Sequence, residues 1–134
     1  MEKNKKDKKH IHIVIVDDSS TNNLLCKILF EEQNYKVTII DNGEQAISTI
    51  KSSIPDIILL DLMMPDIDGL AVLRELKKSK KTKDIAIIIV SAADTQAYIN
   101  EVMSLKPLDY VRKPIGLNDL LGKVEYHLKS MNKI

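Results

Sequence analysis

Tryptophan is absent from the chain, phenylalanine occurs once and tyrosine four times, so the core has to be built from aliphatic side chains. Cysteine also occurs once, at Cys26, which excludes a disulfide framework or a thiolate-held metal cluster and fits a reducing compartment. Neither sign of charge prevails: 20 Lys and Arg stand against 19 Asp and Glu, and a net charge of +1 gives no global field towards nucleic acid. Basic residues gather only locally, in MEKNKKDKKH at the start and KKSKKTK at 77–83, and both read as solvated surface, the first weakly favouring an acidic partner. No apolar run approaches the roughly 20 residues that span a bilayer. The N-terminal charges lead into IHIVIV, too short for the apolar part of a secretory leader, and then directly into Asp17 and Asp18. The expectation is a soluble, cytoplasmic chain without membrane contact. Glycine-rich phosphate cradles of the G-x-x-x-x-G-K-[ST] or G-x-G-x-x-G kind are missing too.

What is present suits one domain: 134 residues, of which 44% are hydrophobic and 29% charged. A chain of about this size buries close to 70% of its unfolded surface, enough for one core without staples. Residues 1–10 read as a basic, disordered tail and 11–131 as the folded unit. Apolar runs of strand length lie at 11–16, 35–40, 56–61, 85–92 and 108–111. Between them stand stretches of helical period. The first follows Ser19, Ser20 and Thr21, which offer a cap, and its face reads as Leu24, Leu25, Ile28 and Leu29. The second carries Ala46, Ile47 and Ile50 and closes before Pro55; the third carries Leu70, Leu73 and Leu76. The fourth covers Thr95–Ser104, and the last presents Leu117, Leu120, Leu121, Val124 and Leu128. Five βα units in succession, with continuous rather than alternating apolar strands, predict a parallel sheet covered on both faces. Right-handed crossovers make it a doubly wound α/β fold. Such sheets bind ligands just beyond the carboxyl ends of their strands.

At those ends stand Asp17 and Asp18 after the first strand, Asp61 after the third, Ser91 at the end of the fourth and Lys113 after the fifth. Taken singly, Asp18 reads as a helix cap, Ser91 as a strand-end hydroxyl and Lys113 as a surface lysine. Asp66 and Asp68, in the PDIDG turn, keep that reading as turn and cap residues. Together, in this order, the strand-end residues predict one rim. Carboxylates about 4 Å apart repel by about 1 kcal/mol in water and about 4 kcal/mol at an effective dielectric near 20. A hard divalent cation relieves that repulsion, and with so few protein ligands the half-hydrated ion Mg²⁺ suits better than Ca²⁺. A metal so held is built to receive a phosphoryl group. Asp61 can then act as the nucleophile, with Lys113 and the Ser91 hydroxyl on the remaining phosphoryl oxygens.

VIVDDSSTN, IILLDLMMPDIDG, IIIVSA and DYVRKPIG together resemble the receiver domain of two-component response regulators, from about Ile11 to Met131. The resemblance implies a flavodoxin-like (βα)5 fold, a five-stranded parallel sheet in order 2-1-3-4-5. It implies that Asp61 is the phosphoacceptor and that Asp18, beside Asp17, is the direct metal ligand. It further implies that the backbone carbonyl of Met63 completes the Mg²⁺ ligands and that the Lys113–Pro114 bond is cis. Ser91 and Tyr110 match the switch pair. The implied donor is a histidine kinase or histidine phosphotransfer protein, with output through the surface of helix four, strand five and helix five. The family allows homodimers through that surface, and the domain itself would not touch nucleic acid or catalyse anything but its own phosphorylation and dephosphorylation. Lys106–Pro107 departs from the usual small pair before the last strand; Pro107 stops the fourth helix and stiffens the turn. Met63 and Ala93 occupy positions that tune phosphoryl lifetime in the family, and neither side chain can orient a water.

Two other readings differ in chemistry. A flavin- or nucleotide-binding domain would use glycines or hydroxyls at a helix N-terminus, but here two aspartates precede the hydroxyls and repel a bare phosphate. A colourless protein without bound nucleotide disposes of it. A receiver-shaped module that only binds a partner lacks no group needed for phosphorylation, so an assay has to separate the two.

Overall fold

β-Branched and leucine-rich runs form the strands, and each is followed by an amphipathic helix. The computed structural model describes residues 8–134. In chain order they are β1 (His12–Val16), α1 (Ser20–Glu32), β2 (Lys36–Ile40), α2 (Ala46–Ser53), β3 (Ile57–Leu60) and α3 (Gly69–Lys78). Then come β4 (Ala86–Ser91), α4 (Gln96–Ser104), β5 (Asp109–Arg112) and α5 (Leu117–Ser130). Between β3 and α3 a short antiparallel ribbon pairs Met63–Met64 with Ile67–Asp68, an element with too few residues to show in any periodicity. The five strands make one sheet in the order β2-β1-β3-β4-β5, all parallel. This is the doubly wound arrangement expected. Of the segment 1–10 read as a disordered tail, residues 1–7 lie outside the described residues. Lys8–His10 is instead a 3-10 turn, and Lys8 pairs with Glu125 at 2.8 Å.

The sheet sorts its side chains by the pleat. Val14, Val16, Ile58, Leu60, Ile87 and Ile89 face α2, α3 and α4 in one cluster. Ile13, Ile15, Ile57, Leu59, Ile88 and Val90 face α1 and α5 in the other. Both faces are buried, which is why the strands carry no polar alternation. The α3 and α5 faces lie as the leucine spacing predicts, with Leu70, Leu73 and Leu76, and Leu120, Val124 and Leu128, all buried.

The α1 face is a correction. Leu24, Leu25 and Ile28 are 58%, 45% and 48% exposed, while Asn23, Cys26 and Phe30 are buried. The helix carries two stripes at helical spacing, and the less apolar one is buried. Its rotation is set at the N-terminus, where Ser19 caps by accepting from the Asn22 N–H at 3.3 Å and Asn23 binds back to Asp17. Phe30, the large ring, then enters the core.

Four residues with side chains adopt left-handed backbone among the described residues: Asn34, Ile54, Lys106 and Asn132. Ile54 ends α2 at φ 45°, ψ 70°, and Lys106 precedes Pro107 at φ 62°. The left-handed region costs an L-residue roughly 1–2 kcal/mol, and Ile54 is 46% exposed, so little packing offsets it. Ile54→Gly is therefore expected to raise stability by about 1 kcal/mol. The check is a higher urea midpoint at unchanged m-value; a lower midpoint would refute it.

Candidate functional site

Strand order brings the acidic residues together. β1 lies between β2 and β3, and the register pairs Val16 with Leu60. The next residues along, Asp17 and Asp61, therefore leave adjacent strands side by side, and the Asp61 N–H donates to the Val16 carbonyl at 2.9 Å. Asp17 and Asp61 are buried, at 6% and 5% exposure, and Asp18 is exposed. Oxygen atoms of all three carboxylates lie within 4.8 Å of one another.

Lys113, just beyond β5, reaches across this rim. Its Nζ donates to Asp17 Oδ2 at 2.9 Å and to Asp61 Oδ2 at 3.2 Å. Burial works to lower the lysine pKa, but the hydrogen bond to Asp17 and the charges of Asp61 and Asp17 outweigh it, and the pKa lies above the ordinary lysine value. Lys113 is thus a cation at neutral pH. The other carboxylate oxygens are held by backbone: Ser19 N–H donates to Asp17 Oδ1 at 2.9 Å and Met63 N–H to Asp61 Oδ1 at 3.0 Å. These bonds fix the orientation of both carboxylates.

With every group ionised, three carboxylates and one ammonium leave two negative charges at the rim. A divalent cation with oxygen ligands matches that balance, whereas imidazole and thiolate donors are missing from the cluster. The residues present therefore fit Mg²⁺.

Ser91 and Tyr110 meet at one residue, Ala93. Ser91 is fully buried, and its Oγ accepts from Ala93 N–H at 3.2 Å. The Tyr110 hydroxyl donates to the carbonyl of the same Ala93 at 2.7 Å. Burial raises the tyrosine pKa, against the hydrogen bond with Ser91 and the charge of Arg112. The Lys113–Pro114 bond is cis, as the family pattern implies.

Other expectations land less simply. Asp68 does cap α3, accepting from Leu70 N–H at 3.0 Å. Asp66 is not merely a turn residue, because its Oδ2 accepts from Gly43 N–H at 3.1 Å and ties the ribbon to the start of α2. Met63 is 58% exposed, and its amide, not singled out from the sequence, holds Asp61. Gly69 was also missed: a Cβ there would lie 2.4 Å from Leu62 Cα, in the loop that follows Asp61. Its place at the end of MMPDIDG was the available signal. Among the described residues, no helix is long and apolar enough to cross a membrane.

A family model described as the response regulator receiver domain matches residues 13–125. The chain is 34% identical over 122 residues to response regulator SaeR of Staphylococcus aureus, covering 91% of this chain and 52% of that protein. It spans about half the length of the curated relatives it matches. Among solved structures, the signal receiver domain of a LuxO repressor protein of Vibrio parahaemolyticus shares 29% identity at a TM-score of 0.79, covering 90% of this chain and 91% of that one. The BeF3-activated N-terminal receiver domain of Klebsiella pneumoniae RstA shares 25% identity at a TM-score of 0.78, covering 87% and 97%.

Proposed function

Because the chain belongs to the receiver-domain family of two-component response regulators, we propose that Asp61 accepts a phosphoryl group from a histidine kinase or histidine phosphotransfer protein. The observation that carries this reading is the Lys113 ammonium bonded to both Asp17 and Asp61 at 2.9 and 3.2 Å, beside a third carboxylate. Asp17, Asp18 and Asp61, with the Met63 carbonyl, would hold Mg²⁺, which when bound neutralises charge on the transferring oxygens. An Asp61 oxygen forms the new O–P bond as the N–P bond of the donor breaks and the imidazole leaves with its electron pair. Lys113 exchanges carboxylate oxygens for a phosphoryl oxygen without changing its protonation. The Met63 N–H keeps Asp61 oriented from its other oxygen.

The signal leaves through Ala93. A phosphoryl group on Asp61 accepts from the Ser91 hydroxyl and draws it away from the Ala93 amide that now donates to it. Tyr110 is bonded to the carbonyl of that residue, so its packing responds to the same loss. The α4-β5-α5 surface then presents a different face to an output partner: a local charge change biases a two-state element.

Incubation with a small acyl phosphate and Mg²⁺ tests the reading. Intact mass should rise by one phosphoryl group, and EDTA should prevent it; no gain with Mg²⁺ present would sink the proposal. Self-dephosphorylation is expected to be slow, since neither Met63 nor Ala93 can orient an attacking water through a polar side chain. Decay of a radiolabel over minutes or longer is the expected outcome, and a lifetime of seconds contradicts it.

A further inference from the structure

Asn23 is a polar side chain on the buried face of α1, 6% exposed among Cys26 and Phe30. A primary amide in such a place is costly wherever its groups lack partners, by about 1–3 kcal/mol for each unsatisfied group. One half of the amide is used: Nδ2 donates to the Asp17 carbonyl at 2.7 Å. The carboxylate of the same Asp17 is already held by the Ser19 amide and Lys113. Asn23 thus adds the one restraint those bonds omit, on the peptide that joins Asp17 to Asp18. The other half, Oδ1, is the buried side-chain polar atom without a hydrogen-bond partner among the described residues. Asn23 lines a cavity of about 20 Å³ together with Asp17, Asn22, Cys26 and Asp61. That space is large enough for a single water, and although half of the lining is apolar, it includes Asp17 and Asp61, whose carboxylates can accept from one.

We propose that Asn23 is a positioning residue for the divalent-cation site, orienting the Asp17–Asp18 pair through its Nδ2 bond and through one internal water held on its Oδ1. The inference rests on the preceding reading that the acidic rim holds Mg²⁺. Cys26, on the same cavity, is not the reactive group here: burial is the main cause that raises its pKa, with Asp17 adding to it, and this disfavours the thiolate.

The test titrates Mg²⁺ into the 134-residue chain, following backbone amide shifts by NMR, for wild type, Asn23→Leu and Asn23→Ala. Melting is measured in parallel with EDTA. Loss of a group that orients metal ligands costs roughly 10–100-fold in affinity, so both variants should bind Mg²⁺ at least about tenfold more weakly. Asn23→Leu removes the bond that helps to turn α1 and leaves the Asp17 carbonyl without that donor, so it should melt somewhat below wild type in EDTA, and the Mg²⁺ affinity is the deciding readout. A purely structural asparagine predicts the same lowered melting temperature but a Kd within about twofold of wild type, and that result overturns the proposal. Should the leucine variant fail to fold, Asn23→Ala, which only removes atoms, decides by the same Kd criterion. Wild type that shows no Mg²⁺-dependent shifts refutes the metal reading itself, a distinct outcome from equal binding by all three proteins.

Discussion

Asp61→Asn is expected to abolish phosphorylation completely while leaving the fold intact. The substitution keeps the side-chain volume and an oxygen that can accept from Met63 N–H, the bond that now runs at 3.0 Å. It removes the anionic oxygen that carries the nucleophilic electrons, and an amide oxygen cannot form the acyl phosphate. It also takes one negative charge from a cluster whose carboxylates lie within 4.8 Å, so the variant should not be less soluble or less folded for electrostatic reasons. Intact mass after treatment with a small acyl phosphate and Mg²⁺ makes the comparison, with the melting temperature as the control for folding. A folded Asp61→Asn protein that still gains a phosphoryl group would move the acceptor elsewhere. Lys113→Ala should behave differently, with the acceptor present but the rate reduced by roughly 10²–10³, the usual cost of removing one donor from developing charge.

Gly69→Ala should cost most in stability among single-methyl changes near the site. The added Cβ would meet Leu62 Cα at 2.4 Å, Leu62 O at 2.8 Å and Leu62 C at 2.9 Å. All three are backbone atoms, so no side-chain rotation relieves the contact. Either the first turn of α3 or the segment joining Asp61 to Met63 has to move. Overpacking of this kind costs typically 1–3 kcal/mol, and the backbone nature of the clash puts this case near the top of that range. For a domain of this size the melting temperature should fall by roughly 10 °C. Phosphorylation should slow as well, because Leu62 stands between Asp61 and the Met63 amide that orients it. An unchanged melting temperature would show that the loop yields freely and that the glycine is not required there.

These two positions also show how differently a site can be read from sequence. Asp61 is legible because a carboxylate at the end of IILL has an electrostatic cost that asks for a reason. Gly69 shows only as the last residue of MMPDIDG, because the approach of α3 to Leu62 is a distance between elements and leaves no mark in periodicity. The α1 helix fails for a related reason. Its Leu24, Leu25 and Ile28 stripe is the more apolar one, yet the buried stripe holds Asn23, Cys26 and Phe30. Hydropathy ranks faces by composition, whereas the helix is turned by its cap at Ser19 and by the Asn23–Asp17 bond. The Met63 amide and the Asp66–Gly43 contact are backbone partnerships, to which side-chain patterns are blind.

The alternation of strands and helices, the two-sided burial of the sheet and the strand-end positions of Asp17, Asp18 and Asp61 are legible in the residues alone. Those follow from local stereochemistry and from the continuity of apolar runs. Contacts across the fold settle the register that sets Asp17 beside Asp61, which face of α1 turns inward, and that Ser91 and Tyr110 share Ala93. Each of these depends on contacts between residues far apart in the chain, where the free energy belongs to the pair and to the surrounding packing, and to neither residue alone.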